Sequence, residues 1–231
     1  EWIKKKFFEN LPILSDNKTQ IIYHSIDPIK KNTKKNKQII FVGKLNESKG
    51  YDLYCKSMFR ILDENKDWKA YSIGEEKRFQ NFPRHKRHLN LGQISHNRVL
   101  DYFSKSEIAI IPSRWEEPFG RAALEASSRG CATIISNTGG MSEVTDYAIK
   151  LKKLDSKNIE DEVFNLIKKP KLRKKIQIKS KKFVKHTLIG NSQKIDSMRD
   201  SLFPFNNINI NNKKLRILNI YNLAQKLNHR I

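Results

Sequence analysis

Six short apolar stretches, most of them closed by a glycine, a proline or a small polar residue, leave this chain few ways to fold. Gln38-Ile-Ile-Phe-Val-Gly43, Ile108-Ala-Ile-Ile-Pro112 and Cys131-Ala-Thr-Ile-Ile-Ser136 are the clearest; residues 68–74, 88–92 and 148–151 complete the set. The clearest runs are continuous rather than alternating, the pattern of strands buried on both faces of a parallel sheet. Helices are predicted over 51–63, where Leu53, Tyr54, Met58, Ile61 and Leu62 recur at helical spacing, and over 97–104 with Ser95 as cap. Others are predicted over 121–128, from Asp155 or Ser156 to 166 or 167, and over 171–185 after the interruption at Pro170. Helices between such strands imply right-handed crossovers and a mostly parallel sheet covered on both faces, an α/β fold. Ligands of an open α/β sheet sit beyond the carboxyl ends of its strands.

One such end organises the rest. Pro112-Ser-Arg-Trp-Glu-Glu-Pro-Phe-Gly-Arg-Ala-Ala-Leu-Glu125 reads as strand end, loop and helix start, with Pro118 suited to the first turn. Glu117 precedes the helix and Glu125 comes eight positions later, about two turns on, so both carboxylates can look toward one crevice. Unpaired amides at Phe119, Gly120 and Arg121 would make an anion site at a helix N-terminus. A phosphate flanked by polyols suits this arrangement. Taken alone, the two acids read equally as an exposed loop acid and an exposed helix acid.

Glu117 and Glu125 within Glu-Pro-Phe-Gly…Leu-Glu-Ala resemble the signature of retaining nucleotide-sugar glycosyltransferases of the GT-B fold, particularly glycosyltransferase family 4. Other motifs keep that family's order. Gly43-Lys44-Leu…Lys49-Gly50 resembles its Gly-Arg-Leu…Lys-Gly loop, with lysine where arginine is frequent. Asn137-Thr-Gly139-Gly140-Met-Ser-Glu143 resembles its Gly-Gly-x-x-Glu turn, with Glu143 expected to fix the turn or cap the helix after it. Gly74 stands where the family often has Gly-x-Gly, without the second glycine, and reads equally as a strand-ending turn. Gln93 and Ile94 lie where the family's backbone meets the nucleobase. The resemblance implies a C-terminal, Rossmann-like donor-binding domain. It also implies transfer of a sugar with retention of configuration, to a saccharide or glycolipid acceptor, without a metal or a cofactor beyond the UDP- or GDP-linked donor. Lys44 and Lys49 would neutralise the departing diphosphate, Glu117 would orient the donor sugar and Glu125 would hold the ribose hydroxyls; Gly139 and Gly140 would admit the sugar or simply make a tight turn. Arg121 replaces a residue that is usually aliphatic, and would add a phosphate contact or face solvent.

Composition sets the rival classes. The 231 residues carry 46 Lys plus Arg against 24 Asp plus Glu, a net charge of +22. Such a balance suits phosphates, nucleic acid or an acidic membrane surface, or reflects general lysine enrichment on a solvated surface. Nucleic acid is not the expected partner, because the basic residues gather in linkers and around 168–185 without interleaved aromatics. The helix 171–185 either meets anionic head groups or presents a solvated face. A catalytically inactive sugar-nucleotide module is the remaining alternative. Cys55 and Cys131 are the only cysteines, so no disulfide framework or cysteine zinc site is expected. The histidines at 85, 88 and 96 lack metal-ligand spacing with partners and read as surface or packing residues. A cytoplasmic protein, with or without peripheral contact at the inner face of the membrane, fits, since no run nears the ~20 apolar residues of a bilayer span.

The expected organisation is a remnant of an N-terminal acceptor domain over 1–27, with a helix at Trp2–Asn10 and a strand at 19–24, and a linker of solvated lysines over 28–37. A donor-binding domain over 38–204 comes next, then an asparagine-rich linker over 205–213 and the opening of a second glycosyltransferase module over 214–231. The first residue, Glu1, points to a fragment, one that binds donor but turns over poorly alone.

Overall fold

Parity along the strands decides which side of the sheet each residue meets. In the computed structural model, which describes residues 1–11, 19–27, 33–78, 82–182, 184 and 187–202, six strands form one parallel sheet. They are β1 (Asn36–Val42), β2 (Lys69–Ile73), β3 (His88–Asn90), β4 (Ser106–Ile111), β5 (Ala132–Ile135) and β6 (Ile149–Lys150). Their order is β3-β2-β1-β4-β5-β6, with every pairing parallel. Ile39, Phe41, Ile108, Ile110 and Ile134 point to one face, where α2 (Tyr51–Glu64) and α5 (Ser156–Lys168) supply Tyr54, Met58, Leu62, Ile159 and Val163. Ile40, Ala109, Ile111 and Ile135 point to the other, against Val99 and Phe103 of α3 (His96–Lys105) and Ala123 and Leu124 of α4 (Arg121–Ser128). Both faces are covered, which is why the sequence runs are continuous. The α/β fold expected from the sequence is therefore the one observed.

Two compact units divide the chain, Glu1–Asn191 and Ser192–Ile231. The first contains the sheet, α1 (Trp2–Asn10) and α6 (Pro170–Lys182); the described part of the second lies within α7 (Leu188–Leu202). The proposed linker 205–213 and the module opening at 214–231 fall outside the described residues, as do 28–32.

Several local expectations change. Residues 19–27 form no strand among the described residues; instead Tyr23 and Ile26 pack on the second core face. Burial of side chains rather than a ladder holds this segment. Ser95 occupies the N-cap of α3 but its side chain makes no cap hydrogen bond, whereas Asp155 caps α5 by accepting from the Asn158 amide at 2.7 Å. Pro170 opens α6 rather than interrupting, as suits a residue whose missing N–H costs nothing in a first turn. Opposite its basic face that helix buries Arg173, Gln177 and Ser180, with Arg173 and Gln177 both bonded to Glu107.

Lys35 is not solvated. Its ammonium donates to the carbonyls of Phe103, Ser104, Ser106 and Arg129 at 2.8–3.2 Å. These include carbonyls at the last turn of α3 and just past α4, where helices carry partial negative charge and unpaired acceptors. Burial lowers the Lys35 pKa below its ordinary value. Replacing Lys35 with Met should cost roughly 2–3 kcal/mol, because the carbonyls lose their donor with no water to replace it. Urea unfolding would show this as a lower midpoint at an unchanged slope.

His88, in β3, is buried, with Nε2 3.1 Å from Ser72 Oγ. Burial, aided by nearby Arg84 and His85, pulls its pKa down to about 4 from the ordinary 6.5. As pH falls through the window between these values the unfolded chain takes up the proton first, so folding stability is lost across it and the loss is complete near pH 4. At about 1.4 kcal/mol per unit this group should remove about 3 kcal/mol. His88→Gln, measured beside the native chain by denaturant unfolding at pH 7 and pH 4.5, should lack that part of the acid sensitivity.

Candidate functional site

β1 and β4 are neighbours although 63 residues separate Val42 from Ser106 in the sequence, and β2 leaves β1 on one side while β5 leaves β4 on the other. The order therefore reverses between β1 and β4, the place where an open α/β sheet opens a crevice. The loops leaving these two strands are fastened to each other. After β1, Asn46 caps a short 3-10 turn, Glu47–Lys49, by accepting from the Lys49 amide, and Gly50 comes next at φ 71°. A Cβ at Gly50 would stand 2.0 Å from the Pro112 carbonyl oxygen, so only glycine allows the turn to seat on the end of β4. The Ser48 carbonyl accepts from the amides of Arg114 and Trp115 at 2.9 and 3.0 Å. The Arg114 guanidinium grips Asp52 with two bonds of 2.6 Å, the bidentate geometry that fixes both partners.

Within this frame Lys49 is ion-paired to Glu117 Oε1, which also accepts from Ser113 Oγ at 3.2 Å. Both side chains are partly covered, 28% and 19% exposed. Glu117 thus sits on the loop after β4 as expected, but Pro118 does not enter the first turn: α4 begins at Arg121, with Gly120 as N-cap at φ 94°. Ala123 and Leu124 donate to the Gly120 carbonyl, so the amides before them lie ahead of the first helical hydrogen bond. Phe119 is buried, and Tyr23 and His24 lie against its ring.

The Gly139–Glu143 turn after β5 closes over the same loop. The Gly140 amide donates to the Glu117 carbonyl at 2.7 Å, and a Cβ on Gly139 or Gly140 would lie 2.6 Å from the Glu117 oxygen or 2.1 Å from that of Pro118. These glycines admit another stretch of the protein's own backbone. Glu143 neither fixes the turn nor caps a helix after it: its carboxylate reaches the start of α1, accepting from the Trp2 amide at 2.6 Å and from the Tyr23 hydroxyl at 2.9 Å.

Glu125 lies one turn into α4, 9% exposed. Its Oε1 is 3.0 Å from His96 Nε2 and 3.5 Å from Arg121 Nη2. Arg121 therefore faces solvent, 65% exposed, while flanking Glu125 from the same helix. His96, taken from the sequence as a surface or packing residue, is exposed as expected, and its Nε2 lies against Glu125. The rest of α3, the strand β4 and a loop separate it from Glu125, so no local spacing could have paired them.

Gly43 and Gly74 meet at the ends of β1 and β2. The Gly43 amide donates to Ile73 and the Gly74 amide to Gly92, and a Cβ on Gly74 would stand 1.9 Å from the Gly43 oxygen. Beyond them opens a cleft of about 650 Å³ lined by Gly43, Lys44, Gly74, Glu76, Arg78 and Gln93. Lys44 is exposed and has no ion pair among the described residues. Glu76 is held by the Arg78 fork and by the Asn46 side-chain amide, which bring its pKa down to about 2. Ile94 turns its side chain into the core. Three groups thus share the carboxyl end of the sheet: Gly43, Lys44, Gly74 and Gln93 around the cleft; Lys49 and Glu117 at the strand switch; Arg121 and Glu125 with His96.

Comparison with known proteins gives the arrangement a lineage. The putative glycosyltransferase YtcC of Bacillus subtilis is 26% identical over 190 residues, covering 68% of this chain and 46% of that protein. The chain spans less than half the length of the curated relatives it matches. Among solved structures, the fold is shared with Anabaena Alr3699/HepE in complex with UDP and glucose, at a TM-score of 0.64 and 15% identity over 72% of this chain and 48% of that one. It is shared too with the C-terminal domain of a Francisella tularensis glycosyl transferase group 1 family protein, LpcC, at 0.61 and 23% identity over 70% of this chain and 96% of that one. Residues 24–183, which contain all three groups of site residues, match the family model of the glycosyl transferases group 1, and the chain belongs to that family.

Proposed function

We propose that the chain is the donor-binding domain of a retaining glycosyltransferase of family 4, which takes a hexosyl group from a UDP- or GDP-linked sugar to a saccharide or lipid-linked acceptor. The observation that carries this reading is the Lys49–Glu117 pair at the strand switch, held by loops whose backbones are mutually bonded. Transfer breaks the bond between the anomeric carbon and a diphosphate oxygen, which leaves with both electrons. The acceptor oxygen forms the new bond and gives its proton to the departing diphosphate oxygen. Lys49, Lys44 and the amides ahead of Ala123 stabilise the charge that grows on the diphosphate. Glu117, relieved of Lys49 as the ammonium turns to phosphate, accepts from sugar hydroxyls and faces the positive charge developing at the anomeric carbon. Glu125 accepts from the ribose. The structural neighbour from Anabaena, in complex with UDP and glucose, favours UDP among the candidate nucleotides.

By the same reading the protein works in the cytoplasm, with or without peripheral contact at the inner face of the membrane. Among the described residues no helix is long and apolar enough to cross a membrane; the outward lysines of α6, Lys171, Lys174, Lys175 and Lys179, supply a surface for acidic head groups.

Calorimetric titration of the chain with UDP, GDP and uridine tests the donor site. Lys49→Ala should weaken the diphosphate by roughly 10- to 100-fold, the worth of one charge-assisted bond, and uridine hardly at all. Glu125→Ala should weaken both. Equal affinities across native chain and variants would remove the assignment.

A further inference from the structure

The Glu125 carboxylate has one oxygen engaged and one left over. Oε1 meets His96 Nε2 at 3.0 Å and, at a longer 3.5 Å, Arg121 Nη2; Oε2 has no hydrogen bond among the described residues. The two partners differ in what they can fix. Arg121 is 65% exposed and reaches from the same helix, the kind of long surface contact that orders little. His96 comes from another element, the first residue of α3, three residues beyond the cleft-lining Gln93. A single short bond from a separate rigid element removes rotamer freedom that the carboxylate would otherwise lose on meeting a ligand.

We propose that His96 is a positioning residue for ribose recognition: by donating Nε2–H to Glu125 Oε1 it fixes the carboxylate, and leaves Oε2 to accept from the 2′- and 3′-hydroxyls of the donor nucleotide. The inference rests on the reading of Glu125 as the ribose acceptor. It adds that discrimination between a ribose diol and a sugar lacking it depends on a side chain that touches neither the diol nor the phosphates. Gln is the conservative test, because its amide Nε2 is a donor at about the reach of the imidazole Nε2 and it does not titrate.

The measurement is calorimetric titration with UDP, GDP and their 2′,3′-dideoxy counterparts, for the native chain, His96→Ala, His96→Gln and Glu125→Gln. The native chain should prefer the ribonucleotide by about tenfold or more, the worth of hydrogen bonds to a charged acceptor. His96→Ala should bring that ratio to within about threefold of unity while changing the Kd of the dideoxy compound less than about twofold. His96→Gln should restore most of the preference. His96 is 56% exposed on its side chain, so thermal melts of both His96 variants should coincide with the native one. A native ratio in His96→Ala, with the ratio abolished in Glu125→Gln, would leave the ribose reading standing and overturn the role of His96. An equal loss of ribo- and dideoxy-nucleotide in His96→Ala would overturn it as well. A ratio unchanged in Glu125→Gln, or none in the native chain, would remove the ribose assignment and this proposal with it.

Discussion

The structure depends on two loops being forced to diverge and then being sewn together. Parallel neighbours β1 and β4 end on the same side, and their chains leave for helices on opposite faces, α2 on one and α4 on the other. Without further bonds this divergence leaves a floppy gap. Here it is bridged by the Ser48 carbonyl between two amides, by Gly50 against Pro112, and by the Arg114–Asp52 fork. Main-chain bonds do most of this, and main-chain atoms have little freedom to lose. Lys49 and Glu117 are consequently delivered to one another by backbone geometry rather than by the reach of their own side chains. That is the kind of support a site needs to hold charge within a fraction of an ångström.

In a chain of net charge +22, three of the site's carboxylates are engaged by positive or donor groups: Glu117 by Lys49 and Ser113, Glu125 by His96 and Arg121, Glu76 by Arg78 and Asn46. Partly covered acids need such company, since an unpaired charge out of water is costly. On the proposed reading, ligand binding would proceed by exchange. A diphosphate that takes Lys49 leaves Glu117 needing donors, and sugar hydroxyls are donors. The net electrostatic gain is thereby a difference between two paired states, smaller than a bare Coulomb sum. On that reading selectivity would improve in the same step, because an anion without hydroxyls would leave Glu117 with Ser113 as its remaining donor.

Most of the fold was legible because continuous apolar runs and helical spacing are local signals, and the strands of the sheet fall where those runs fall. The loop acids and lysines were also visible, from motif order. The hidden part was non-local. Lys35 sits in a lysine-rich stretch that reads as solvated, and only the convergence of the ends of α3 and α4 makes it a ligand for four carbonyls. Residues 19–24 have the apolar content of a strand, but instead of pairing in a ladder the segment sets Tyr23, with Ile26 just beyond, on the second core face. His96 and Glu125 are 29 residues apart, and no periodicity links the first residue of one helix to the second turn of another.

The glycines show the same limit from the other side. Gly74, Gly139 and Gly140 were read either as approaching a ligand or as making plain turns, and each lies against the chain itself, where a methyl group would collide with a carbonyl oxygen. A glycine in a motif says that something comes close; it does not say whether the neighbour is a substrate or another loop. For the paired glycines the neighbour is the loop that carries Glu117, so they act on chemistry at one remove. By letting the turn after β5 bond to the Glu117 carbonyl, they fix the height of that residue above the sheet. On the proposed reading the distance from Glu117 to a bound sugar would be set by that contact, and a larger residue at 140 would raise the loop before it ever met a ligand.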